Sequence, residues 1–133
     1  MDSQDTRTEP GKDLDDLAHR IIGAAIQVHR ELGAGYLESV YEEALAVEFG
    51  LLGVNFERQK AFGLSYKNQR VGEGRVDFLV DSRLVLEIKA VEATLPIHKA
   101  QVISYLKATK CRLGLLINFN EKRSNIDISV FGY

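Results

Sequence analysis

Asp77, Glu87 and Lys89 lie inside two apolar runs, in the stretch RVDFLVDSRLVLEIK from Arg75 to Lys89, and Glu38 sits at the head of another apolar segment. Carboxylates are hard oxygen ligands suited to Mg²⁺ or Mn²⁺, which prefer carboxylate and water to sulfur or imidazole. Asp77, Glu87, Glu38 and water make a plausible donor set for such a cation. Bound there, it would polarise a phosphoryl oxygen and acidify a water, the two needs of phosphodiester hydrolysis. The Lys89 ammonium would stabilise charge building on the phosphate or hold the attacking water. Gln101 would orient that water or the lysine.

The elements that position these groups follow from periodicity. The stretch predicts two strands around a turn at Asp81-Ser82-Arg83, with Val76, Phe78 and Val80 on one face and Leu84, Leu86 and Ile88 continuing it. If Val80 opposes Leu84, then Leu79 opposes Val85, Asp77 opposes Glu87 and Arg75 opposes Lys89. Two carboxylates about 5 Å apart at Cβ repel unless a cation or a proton lies between them. The alternative is a solvated face of crossed ion pairs among Arg75, Asp77, Glu87 and Lys89. Leu79 and Val85 share that face and point to partial cover.

Upstream, apolar spacing from Asp13 to Leu32 predicts a helix, with His29 on its apolar stripe as a hydrogen-bonded packing residue. A second helix is expected over Leu37 to Leu52, stopping at Gly53, with Glu38 in its first turn, where the helix dipole favours an acid. Tyr41, Leu45 and Phe49 carry its apolar side. Glu42 and Glu43 read as a solvated edge. Short strands are expected at 54–58, 62–66 and 69–72, with a turn at Lys67-Asn68. Pro96 opens a third helix over Ile97 to Thr109, placing His98, Gln101 and Tyr105 along one side. Strands over Leu113 to Phe119 and Asn125 to Phe131 close the pattern. The result is an α/β sandwich, a mixed β-sheet flanked by helices.

Composition sets the outer limits. The 133 residues, 45% apolar and 27% charged, fit one domain over 13–133 behind a disordered tail over 1–12. Cys111 is the single cysteine, so neither an internal disulfide nor a cysteine-rich zinc site is available, and a cytoplasmic home is the simplest expectation. No apolar run reaches membrane-spanning length. The net charge of −2 hides an asymmetry, −8 over residues 1–57 and +6 over 58–133. A basic second half suits a polyanionic partner. No Gly-rich phosphate loop and no Ser nucleophile elbow are present.

Asp77, then Glu87-Ile88-Lys89, then Gln101 with Tyr105, resembles the PD-(D/E)XK nuclease superfamily, whose fold is that of restriction endonucleases. Gly35-Tyr36-Leu37-Glu38-Ser39-Val40-Tyr41 is similar to the G-x-x-E-x-x-Y signature of one branch of that superfamily. Val28 to Gly33, Arg58-Gln59-Lys60, His98-x-x-Gln101-x-x-x-Tyr105-Leu106 and Gly114 to Phe119 agree with it. One departure is Val76, where many members have proline, and the stretch beyond Asn120 matches less well. The resemblance implies a restriction-endonuclease-like fold and a Mg²⁺-dependent nuclease acting on DNA. Glu38, Asp77 and Glu87 become metal ligands, with the Ile88 carbonyl a further one, Lys89 the catalytic lysine and Gln101 the helix-borne glutamine. Tyr41 and Tyr105 match signature positions that suit packing with a hydroxyl hydrogen bond. His98 stands evenly between support of the site and helix-start packing. A domain this small has few loops to grip a substrate, which raises a homodimer or a partner protein. Two other classes stay open, a noncatalytic nucleic-acid or protein-binding module and a metal-dependent phosphoesterase of small nucleotides.

Overall fold

Asp81 and Ser82 adopt left-handed backbone, φ 53° and 58°, and Arg83 N–H closes on the Val80 carbonyl at 3.0 Å. This tight turn fixes the register of the two strands that carry the acids. The computed structural model describes residues 5–120 and 126–132. Helix α1 runs Asp5–Leu32 and α2 Glu38–Leu52; β1 spans Phe56–Tyr66, β2 Gln69–Val80 and β3 Leu84–Lys89. Helix α3, Pro96–Thr109, leads to β4, Leu113–Asn118, and β5, Asp127–Gly132.

The five strands are ordered β1-β2-β3-β4-β5. β3 and β4 pair in parallel across the α3 crossover, and the other pairs are antiparallel. β3 is buried on both faces from Leu84 to Ile88. On one side, Phe78, Val80, Leu84, Leu86, Ile88, Leu115 and Ile117 pack under Ile21, Ala25, Tyr41, Leu45 and Phe49 of α1 and α2. On the other, Val76, Val85, Leu106 and Cys111 form a smaller cluster beneath α3, with Leu79 and Tyr105 against it. A Cβ at Gly114 would lie 2.9 Å from Val102 and 3.1 Å from Leu106, so glycine sets how closely α3 approaches β4.

The mixed sheet with flanking helices is the expected restriction-endonuclease-like architecture. Gly53, φ 71°, ends α2 where its sequence position required, and the Lys67-Asn68 turn forms with φ 49° and 67°.

Several expectations are corrected. The short strands merge into two long ones, and the ladder runs on through Gly72 and Gly74, with a bulge at Leu64/Ser65 and a gap at Gln59. A Cβ at Gly74 would run into the Phe62 ring, which lies across it. Val76 does not share a face with Phe78. The change of side coincides with Gln59, φ 50°, which leaves the ladder between the pairs Arg58↔Phe78 and Lys60↔Val76. Helix α1 begins at Asp5, so residues 5–12 of the expected tail are helical, while 1–4 lie outside the described residues. Asn125, the expected start of the last strand, also lies outside them.

Candidate active site

The β2–β3 backbone ladder stops at Phe78↔Leu86, one residue short of the acids. Side chains then take over. Asp77 N–H donates to Glu87 Oε2 at 2.7 Å, and Ile88 N–H donates to Asp77 Oδ2 at 2.9 Å. Each carboxylate thus accepts a backbone hydrogen from the opposite strand, and the two acids cross as neighbours, as the register requires. Such bonds to charged acceptors are stronger than neutral ones and offset part of the repulsion.

The remainder of that repulsion shows in their acidity. Burial, and then the Asp77 charge, push the Glu87 carboxyl up to about 8, with Asp77 N–H and Lys89 opposing. Glu87 is only 5% exposed. Burial also raises Asp77, against the lowering effect of the Ile88 and Gln59 hydrogen bonds. Glu38, half-buried at the first turn of α2, is raised by burial and by Asp77 and lowered by Lys89. That mutual influence places Glu38, Asp77 and Lys89 around one locus. Tyr105 is raised by burial and by Glu87 and Asp77, which puts its hydroxyl in the same field from the α3 side.

No ion pair among the described residues joins Arg75, Asp77, Glu87 or Lys89, so the crossed-pair alternative is not what forms. Arg75 donates instead to the Gln59 carbonyl at 2.9 Å. Lys89 is held through its backbone, its carbonyl accepting Phe119 N–H at 2.8 Å. Just beyond it, the buried Asn118 amide accepts from Val91 N–H and donates to the Val91 carbonyl, both at 3.0 Å, pinning the loop that leaves β3.

The other candidates are placed as follows. Tyr41 is fully buried; its hydroxyl donates to the Gly33 carbonyl at 2.6 Å, and its ring stacks on Phe119 at 4.4 Å. It ties the loop before Glu38 to the end of β4. His98 Nδ1 accepts Leu95 N–H at 3.0 Å, which caps its own helix. Tyr105 packs edge-on against Phe62. Gln101 is exposed on α3, and among the described residues no hydrogen bond links it to the acids. His29 is buried beside Phe119, but its Nε2 has no partner among the described residues, unlike the hydrogen-bonded histidine expected.

Two supporting residues were missed. Gln59 Nε2 donates to both Asp77 Oδ1, 3.3 Å, and Glu42 Oε1, 3.0 Å. Glu42 is not on a solvated edge. Its side chain is 13% exposed and accepts from Arg58 as well, whereas Glu43 is 70% exposed. The segment Arg58-Gln59-Lys60 was the available signal.

The donor set fits a hard divalent cation in its chemistry: three carboxylates raised by burial and proximity, with the Ile88 carbonyl alongside. The side chains as placed are not yet a cage, since no three His, Cys, Asp or Glu among the described residues converge as a metal-holding group. A cavity of about 370 Å³ lies at the other end of the sheet, by Ser82, Arg83 and Leu113, and none of the acids lines it.

A family model of the PD-(D/E)XK nuclease superfamily matches residues 15–129. The chain belongs to that superfamily. No curated protein matches it. Among solved structures, the crystal structure titled SSO0001 superposes with a TM-score of 0.57 at 20% identity, over 71% of this chain. The match spans 48% of that protein's length, and at this identity it speaks for the fold alone. The superfamily is one of nucleases, which usually use divalent metals. No described helix is long and apolar enough to cross a membrane.

Proposed function

We propose that the domain is a Mg²⁺- or Mn²⁺-dependent nuclease that hydrolyses DNA phosphodiester bonds, of the G-x-x-E-x-x-Y branch. The observation that carries this reading is the part-buried crossing of Asp77 and Glu87, which holds two acids together with Lys89 two residues on. Asp77, Glu87, Glu38 and the Ile88 carbonyl would hold the cation. When bound, it supplies a polarised phosphoryl oxygen and an acidified water. The chain's own residues do the rest. Asp77 and Glu87 keep one oxygen each on a backbone N–H, which fixes their orientation. Lys89, its carbonyl anchored to Phe119, presents an ammonium to charge developing on the phosphate. Gln101, exposed on α3, is free to orient the attacking water once substrate is present.

A second reading has one observation behind it. Because Asp77 and Glu87 complete the strand pairing, they could be kept for structure alone in a noncatalytic nucleic-acid-binding module. Purified protein incubated with Mg²⁺ or Mn²⁺ and a panel of single-stranded, duplex and branched DNA separates the two. Cleavage by the wild type, abolished in Lys89→Ala at unchanged melting temperature, supports the nuclease. Equal inactivity of both proteins with DNA binding intact refutes it in favour of the module.

A further inference from the structure

Beyond Asp77 the β1–β2 pair leaves the sheet. β3 pairs with β2 only over Phe78 to Val80, yet β1 and β2 stay paired out to Tyr66↔Gln69. The nine residues from Asp77 back to Gln69 make an arm about 25 Å long at strand rise. From Gly63 to Val71 every residue is exposed. The arm is rooted by the Phe62–Tyr105 contact on the α3 side and by Gln59 on Asp77. A long two-stranded ribbon with free edges is a liability unless something covers it.

Its charge says what. Lys60, Lys67, Arg70 and Arg75 stand against Glu73 alone between residues 60 and 75, in a protein of net charge −2. The helix on the same side, α3, contains Lys99 and Lys107 and no acid. Ten of the twelve acids of residues 1–57 lie on α1 and α2, which cover the other face of the sheet, while Glu57, at the root of β1, pairs with Lys60 at 3.1 Å. At the tip, Tyr66 is 63% exposed, with the Lys67 ammonium 5.4 Å from its ring. Ser65, Asn68, Gln69 and Arg70 add hydrogen-bonding groups.

We infer that the β1–β2 ribbon is a duplex-DNA arm that enters the major groove beside the site. This rests on the nuclease reading and names its substrate class. The major groove of B-DNA, about 12 Å wide, admits a two-stranded ribbon. The deep, narrow major groove of duplex RNA does not. Lys67 and Arg70 sit near the tip to meet phosphates across the groove. Arg75, two residues from Asp77, meets the backbone where it reaches the acids.

The test is binding of full-length protein, in EDTA so that nothing is cut, to fluorescent duplex DNA, duplex RNA and single-stranded DNA of one sequence over a range of salt. The wild type should prefer duplex DNA. Lys67→Glu/Arg70→Glu should bind it at least tenfold more weakly at low salt, with a salt slope smaller by about two, since each lost phosphate contact removes about 0.9. Tyr66→Ala, which alters no charge, should weaken binding and leave the slope unchanged. Both variants change exposed residues, and an unaltered melting temperature certifies their fold. Wild type and charge-reversed proteins binding duplex DNA equally would overturn the arm while leaving the nuclease reading intact. Equal or tighter wild-type binding to duplex RNA or single strands would overturn groove entry. A wild type that binds no nucleic acid and cuts none with Mn²⁺ would refute both.

Discussion

Replacing Glu87 by Gln should stabilise the metal-free protein at neutral pH. Glu87 is 5% exposed and its carboxyl is pushed up from the ordinary 4.5 to about 8, chiefly by burial and then by Asp77. A carboxyl raised in the fold stabilises it fully below the unfolded value, and this stability is lost as pH rises through the folded value. The loss grows by about 1.4 kcal/mol per pH unit above 4.5, so at pH 7 it is on the order of 3 kcal/mol. Glu87→Gln keeps an oxygen to accept Asp77 N–H and carries no charge. In EDTA it should therefore melt roughly 10 °C above the wild type at pH 7, with the gap closing toward pH 4.5. Mg²⁺ or Mn²⁺ should narrow the gap at pH 7 by stabilising the wild type alone. Thermal melts at half-unit pH steps read all of this. A gap independent of pH, or a wild type more stable than the variant at pH 7, refutes the account of two acids held against their repulsion.

Asp77→Asn keeps an acceptor for Ile88 N–H but removes a charge, so Mn²⁺ affinity by calorimetry should fall at least tenfold with the fold intact. Asn118→Ala strips Val91 of two hydrogen bonds and should cost about 1–3 kcal/mol in urea unfolding, with faster hydrogen exchange after Lys89. Gly114→Ala pushes a Cβ into Val102 and Leu106 and should cost about 1–3 kcal/mol by overpacking. A neutral result there would mean that α3 shifts freely on the sheet.

What could be read from the sequence was what repeats locally. Period-two alternation and a short turn gave the Asp77–Glu87 juxtaposition, and Gly53 gave the end of α2. Glu38 at a helix start and Lys89 two places past Glu87 needed only element geometry. The rest depended on contacts distant in the chain. A short strand was expected to end at Gly72, but β2 runs on through Gly74, where the Phe62 ring crosses its neighbour. Glu42 looked solvated because its cover, Arg58 and Gln59, arrives from another element. The left-handed Gln59, beside which Val76 changes face, has no local signature. Residues 1–12 read as a tail, yet α1 already begins at Asp5.

Asp77 and Glu87 close the last rungs of the β2–β3 ladder with side chains, so they occupy the place of backbone in the hydrogen-bond pattern. A strand slipped by one residue would turn its acid to the wrong face and forfeit both bonds at once. The site is in this sense a proofreader of its own assembly: a chain that has brought these two acids together has already found its register, and one that has not carries no trace of the centre.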